Sequence, residues 1–348
     1  MAINQLSLLR TKRFLPLFLT QFFGAFNDNV YKNALVIMIT YSLASATHFN
    51  SQILITIAAG IFILPFFLFS ALAGQIADKF DKAKLIRYTK LAEITLMLLA
   101  GIGFYFQSVF FLITLLFLIG TQATFFGPMK YSILPDQLPE NELIAGNALL
   151  EAGTYFAILT GTLLGGVLAV LHAAPALVTV TVLILAIAGY VTSLSIPSTR
   201  SSEPHLEIKY DLIGETKKII RETMQKRELS FAILGISWFW LIGATYLSQF
   251  PTYTKVVLGA SSSVVTLFLT FFTLGIGLGS LMCNRLLKGR IHATYVPLAA
   301  LAMTVFAIDL VLASGHVVSK SGHLQTMGEF LSHLQNWHVL FDLLFLSM

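Results

Sequence analysis

Residues 74–86 read GQIADKFDKAKLI and stand between two long apolar runs, 52–77 and 85–106. Asp78, Lys79, Asp81, Lys82 and Lys84 crowd into the junction. A helix that crosses a bilayer needs about 20 mostly apolar residues. Each flanking run is that long, so the charged stretch reads as a tight turn at a membrane surface. Working outward, apolar segments recur at 14–43, 109–134, 143–171, 174–196, 229–256, 262–287 and 292–314. A tenth starts near 337 and has only WHVLFDLLFLSM before Met348. The expectation is an all-α membrane bundle with nine full spanning helices and a shortened tenth.

Composition agrees. Only 11% of the 348 residues are charged and 56% are hydrophobic, where a soluble domain carries roughly 25% charged residues. Mean hydropathy is +0.79. The single cysteine, Cys283, excludes a disulfide framework and a cysteine zinc site. Arg10, Lys12 and Arg13 precede the first run as they would in a signal peptide. That run is too long for a signal core and lacks a small-x-small cleavage pattern, so it reads as the first spanning helix.

The net charge of +5 is topological. Basic residues gather at Arg10–Arg13, at Lys79, Lys82, Lys84, Arg87 and Lys90, between 200 and 227, and at Arg285, Lys288 and Arg290. The turns on the other side, ATHFN, FQS and LHAAP, are nearly bare. Lys and Arg mark cytoplasmic loops, which puts the N-terminus in the cytoplasm and leaves no reason to invoke nucleic acid. The segment 197–228 opens with IPSTRSSEPH and continues with YDLIGETKKIIRETMQKRE. Leu212, Ile213, Ile219 and Ile220 alternate with charge at helical spacing, as in an amphipathic helix on the inner surface. Three parts follow: a six-helix half at 1–196, a cytoplasmic linker at 197–228, and an incomplete second half at 229–348. A second half matching the first would run past Met348, so the reading expects a shortened copy of a twelve-helix protein, unstable or inactive alone.

A repeat supports the two halves. Shifted by 206 positions, Gly74, Asp78, Lys79 and Lys82 meet Ser280, Asn284, Arg285 and Lys288 in SLMCNRLLKGRI. Parallel six-helix halves are the plan of major facilitator transporters. GQIADKFDKAK resembles the loop 2–3 signature of that superfamily, departing from it at Lys79 and Asp81. The resemblance implies a gate formed by Gly74, Asp78, Lys79 and Lys82, in which the glycine lets helices approach and Asp78 accepts from a neighbouring helix start. The alternative is a charged turn that only sets topology. QFFGAFNDNVYKNALV (21–36) and FFGPMKYSILPDQLPENELIAGNALLEAGTYFAILTGTLLGG (125–166) look like the bacterial lysophospholipid transporter family. That resemblance implies a carrier returning lysophospholipids, chiefly lysophosphatidylethanolamine, from the outer to the inner leaflet of the inner membrane. It also implies a partner acyltransferase–acyl carrier protein synthetase, fused behind the transporter in some members.

The residues have their own logic. Gln21, Gly24, Asp28, Tyr31 and Lys32 share one helical face. A polar stripe on an apolar helix should face a cavity, because lipid penalises it. Asp28 and Lys32 suit an ammonium and a phosphate, with Asn27 and Asn29 adding neutral hydrogen bonds. The alternative is an internal Asp28–Lys32 ion pair. Lys130, between Pro128 and Pro135, reaches either a phosphate or the inner surface. Asn147 and Glu151 lie one turn apart, Glu151 contacting substrate or pairing with Lys130 or Lys32. Gly161 and Gly165 form a GxxxG packing signal. Gln249 is the main polar residue of 229–256, a segment otherwise poorly assigned. His316, His323, His333 and His338 match no metal-ligand spacing and read as surface residues. No nucleophile–base pair, Walker-type GxxxxGK or cofactor motif appears in the sequence. A carrier rather than an enzyme is expected. A porter for another small zwitterion or drug is the next reading, and a membrane anchor without transport the third.

Overall fold

The computed structural model describes residues 5–39, 51–169, 171, 173–199, 201–287, 293–315 and 324–348. His316, His323, Lys288 and Arg290 lie outside the described residues. The helices are α1 Leu15–Met38, α2 Ser51–Lys79, α3 Lys82–Tyr105, α4 Val109–Ser132, α5 Leu134–Gln137, α6 Glu140–Ala169, α7 Ala174–Leu194, α8 Leu212–Gln225, α9 Arg227–Thr252, α10 Ser262–Leu287, α11 Val296–Ser314, α12 Met327–Ser332 and α13 Leu334–Ser347. Among the described residues, six of these are long and apolar enough to cross a membrane: α2, α4, α6, α7, α10 and α11. Neither α1 nor α3 is among them. The first carries Asn27, Asp28, Asn29 and Lys32, the second Lys82, Lys84, Arg87, Lys90 and Glu93.

The charged junction is shorter than its sequence suggests. Only Phe80 and Asp81 separate α2 from α3. Asp81 is extended and caps α3, its carboxylate accepting from the Ala83 and Lys84 N–H groups at 2.9 and 3.3 Å. A capping carboxylate satisfies N–H groups that have no partner within the helix. The basic residues therefore form the first turns of α3.

The chain divides into two compact units, 1–220 and 221–348. In the first, α1 packs on α6 and α7, α2 on α4, and α3 on α4 and α7. Small residues allow the approach. A Cβ on Gly161 would stand 2.6 Å from the Phe26 carbonyl, and one on Gly165 2.5 Å from that of Val30. The GxxxG of α6 is thus the seat of α1. Gly120 of α4 faces the Phe62 carbonyl of α2 in the same way. Thr20 and Thr192 bond across α1 and α7 at 3.0 Å. The Arg87 guanidinium donates to the Ile196 carbonyl at 2.9 Å, just beyond α7. A cation there also suits the negative end of the helix dipole. Around this core the outward faces stay apolar, with Ile63, Phe67, Ile184 and Val191 exposed, as a lipid-facing surface requires. The polar α8 follows on the linker with exposed Ile213, Ile219 and Ile220.

In the second unit α13 packs on both α10 and α11. Phe306 of α11 stacks on Phe345 of α13 at 5.2 Å between centroids. Phe250, Phe268, Phe272 and Phe330 form a further aromatic group. Thr326 and Glu329 close a capping box at the start of α12.

Candidate functional site

Four polar side chains from three helices meet inside the first unit. The Lys90 ammonium lies 2.6 Å from Glu93 Oε2, and the two side chains are only 1% and 2% exposed. Asn27 Nδ2 of α1 donates to Glu93 Oε1 at 2.8 Å. Gln122 Nε2 of α4 donates to Glu93 Oε2 at 3.2 Å. The Lys90 ammonium also rests over the Phe126 ring, 4.8 Å from its centre. It approaches α1 at Gly24, where a Cβ would collide with Nζ. The glycine within the α1 stripe is therefore the place where a lysine of α3 crosses.

This corrects the sequence reading twice. Lys90 is not a topological loop charge; it is buried in α3 against Glu93. The stripe of α1 does not face one cavity along its length. Gln21 donates to the Leu150 carbonyl of α6 at 3.0 Å and accepts from Thr154 at 3.0 Å. Tyr31, fully buried, donates to the Leu112 carbonyl of α4 at 2.8 Å. Most of the stripe is thus consumed by packing.

Asp28 and Lys32 are the exceptions. Asp28 Oδ1 is buried and has no hydrogen-bond partner among the described residues, and the same holds for Oδ1 of neighbouring Asn27. Asp28 lies within electrostatic reach of Lys32, Lys90 and Glu93. The Lys32 ammonium sits 4.3 Å from the centre of the Phe62 ring. It closes no ion pair with Asp28 among the described residues, while Lys90 and Glu93 do pair. Lys90 and Glu93 thus neutralise each other, and Asp28 and Lys32, on adjacent turns of α1 and within electrostatic reach of one another, close no ion pair among the described residues. Asn29 bonds back to the Ala25 carbonyl of its own helix at 2.7 Å.

A second cluster joins the C-terminal end of α4 to α6. The Tyr131 hydroxyl donates to Glu151. Lys130 lies over the Tyr131 ring at 4.6 Å and within electrostatic reach of Glu151. Glu151 therefore associates with Lys130 rather than Lys32. Asn147 bonds to the Leu143 carbonyl within α6 at 2.9 Å and stays apart from Glu151. Gln249, in the second unit, is exposed on α9.

At the α2–α3 junction Lys82 is 1% exposed and ties three segments together. Its ammonium reaches Asp136 Oδ2 of α5 at 2.9 Å and donates to Ser202 Oγ of the linker at 3.0 Å. Asp78 is exposed, and it is its main-chain carbonyl that accepts, from Glu203 N–H at 2.9 Å and Ser201 Oγ at 3.1 Å. Capping of α3 falls to Asp81. A Cβ on Gly74 would meet open space. Lys79 lies over the Phe80 ring at 5.9 Å.

Sequence reasoning missed Lys90, Glu93 and Gln122. The available signal was an acid three residues after a lysine inside an apolar run, a spacing that puts both on one helix face. It read His338 as a surface residue, and the side chain is 54% exposed. In the structure His338 Nε2 lies 3.0 Å from Asp309 Oδ2 and 3.8 Å from Asp342 Oδ1.

Among the described residues the chain is a set of long apolar helices with charged groups sealed between them, a build that multi-pass membrane transporters use. The profile of the Major Facilitator Superfamily matches residues 17–327, and the chain belongs to that superfamily. It is accordingly a transporter-family membrane protein rather than an enzyme. Within the superfamily it is similar to the lysophospholipid transporter LplT of Escherichia fergusonii, at 30% identity over 265 residues, which are 75% of this chain and 62% of that one. The LplT of Citrobacter koseri is 28% identical over 309 residues, 86% of this chain and 72% of that one. The first match thus spans less than two thirds of its relative's length. A solved peptide transporter POT, crystallised in complex with sulfate, aligns with a TM-score of 0.46 at 16% identity, covering 99% of this chain and 84% of that one.

Proposed function

We propose that the chain is a lysophospholipid carrier that moves lysophosphatidylethanolamine-type lipids from the outer to the inner leaflet of a bacterial inner membrane by alternating access. One observation carries this reading. After Lys90 and Glu93 neutralise each other, α1 retains Asp28 and Lys32, which close no ion pair among the described residues. A phosphoethanolamine headgroup has the complementary charges. Its ammonium would replace the donors missing at Asp28 Oδ1 and Asn27 Oδ1, and its phosphate would meet Lys32. Opposite charges attract strongly in a poorly solvated cavity, which offsets part of the hydration the headgroup loses. The names of the relatives point to the same substrate.

In this reading Lys130, Asn147, Glu151 and Gln249 are further contacts along the substrate path. Gly74, Asp78, Lys79 and Lys82 form the gate between helices. The six-helix half 1–196 and the part 229–348, joined by the cytoplasmic linker 197–228, are the two parts that move in alternating access. The N-terminus is cytoplasmic, the nine long helices span the membrane, and α13 is a shortened tenth. Delivered lysolipid is re-acylated by an acyltransferase–acyl carrier protein synthetase, fused or separate, so transport runs downhill. An anchor without transport would have no use for charges held in an apolar helix.

The test is uptake of labelled lysophosphatidylethanolamine by spheroplasts expressing the chain. Asp28→Asn and Lys32→Ala are each expected to lower uptake at least tenfold at unchanged expression. Uptake in both variants equal to the parent would place the headgroup elsewhere. Uptake of labelled glycerophosphoethanolamine but not of the lysolipid would favour a porter for small zwitterions.

A further inference from the structure

The second unit holds a polar cluster that the lipid-carrier reading does not use. His338 and Asp342 are one turn apart on α13, so they share a face. Packing of α13 on α11 brings Asp309 to that face. His338 Nε2 lies 3.0 Å from Asp309 Oδ2 and 3.8 Å from Asp342 Oδ1, and one ligand atom from each of the three residues falls within 4.8 Å of the others. Asp342 is 2% exposed, its Oδ2 is buried, and its carboxyl group faces that of Asp309 at hydrogen-bonding range, so the two acids need a shared proton or a cation between them. Buried carboxylate oxygens are ordinarily paired, hydrogen-bonded or bound to a cation.

We propose that Asp309, His338 and Asp342 form a binding site for a first-row divalent cation of the zinc type. An imidazole nitrogen with two carboxylate oxygens is a donor set that zinc accepts, and three protein ligands leave a coordination position open. Donors bound tetrahedrally at about 2.0–2.1 Å stand about 3.3 Å apart, and the two distances from His338 Nε2 bracket that value. Two carboxylates present a charge that a divalent ion balances, whereas an imidazolium would balance only half of it. The His338 side chain is 54% exposed, which provides the entry path. The hydroxyl of Tyr253, held by Ser314, lies within electrostatic reach of Asp342.

The experiment uses the full chain purified in detergent and stripped with a chelator. Zinc is titrated by calorimetry, and cobalt(II) is added as a coloured stand-in. The parent is expected to bind one equivalent of zinc and to give cobalt ligand-field bands stronger than those of the aqueous ion. His338→Gln and Asp342→Asn should each weaken zinc binding at least tenfold and bleach the cobalt bands, while His333→Gln changes neither. Size-exclusion profile and helical circular dichroism confirm that each variant is folded. Should Asp342→Asn not fold, His338→Gln, on the exposed side of the cluster, decides alone. A parent that binds no zinc would reduce the cluster to a His–Asp ion triad. Zinc binding that survives His338→Gln and is lost with His316→Gln and His323→Gln would assign the metal to those two histidines instead. Either result overturns the proposal.

Discussion

Glu93→Gln separates the internal ion pair from the transport site. The glutamate is 2% exposed and collects three donors: the Lys90 ammonium at 2.6 Å, Asn27 Nδ2 at 2.8 Å and Gln122 Nε2 at 3.2 Å. A glutamine has the same shape but only one acceptor oxygen, so its amide NH2 must face a donor. Lys90, 1% exposed, then keeps a charge with no paired carboxylate. Removing one partner of a buried pair costs about 3–5 kcal/mol. Lys90→Met should cost a similar amount, because it strands Glu93. The double variant Lys90→Met/Glu93→Gln removes both charges and should recover at least half of the loss, giving a coupling energy of roughly 2 kcal/mol or more in the cycle. The assay is denaturant or thermal unfolding in detergent followed by intrinsic fluorescence, with lysolipid uptake measured in parallel. The double variant leaves no stranded charge beside Asp28 and Lys32, so it should retain more uptake than either single variant. Single variants within about 0.5 kcal/mol of the parent, or strictly additive effects, would refute a sealed Lys90–Glu93 pair and the charge balance built on it.

Gly165→Ala places a methyl group 2.5 Å from the Val30 carbonyl and should destabilise the α1–α6 contact by about 1–3 kcal/mol; Gly74→Ala meets open space and should leave stability unchanged or raise it by up to about 1 kcal/mol in the same unfolding assay. Asp81→Ala removes the cap of α3 and should cost about 1 kcal/mol, seen as faster amide exchange in the first turn of α3; Asp78→Ala should leave that exchange unchanged, since among the described residues only its main-chain carbonyl is engaged. Asp78→Asn should slow lysolipid uptake while binding, measured by equilibrium dialysis, stays at the parent value; normal uptake would remove Asp78 from the gate.

The helical architecture and most helix positions follow from one-dimensional information. A bilayer core is about 30 Å thick, and only long apolar helices or closed barrels satisfy every backbone group within it. Runs of about 20 apolar residues therefore announce themselves, and 262–287 is helical over the same limits that its sequence suggests. Helix ends were less legible, because α3 begins on charged residues whose start depends on a cap, and the extended backbone of Asp81 supplies it. Asp28 and Lys32 stood out for the same physical reason that the helices did, since charge in an apolar run is costly wherever it lies. The partners of each charge could not be read this way. Lys90 lies close enough to a basic turn to pass for a surface charge, and only the packing of α1, α3 and α4 shows that Asn27 and Gln122 converge on Glu93. Asp309 and His338 are 29 residues apart and meet only because α13 lies against α11. Hydrophobicity along the chain determined which residues are helical and which charges are out of place; the close approach permitted by glycines at Gly24, Gly161 and Gly165 decided which of those charges meet, because contact across helices depends on backbone separation, a quantity that sequence periodicity does not contain.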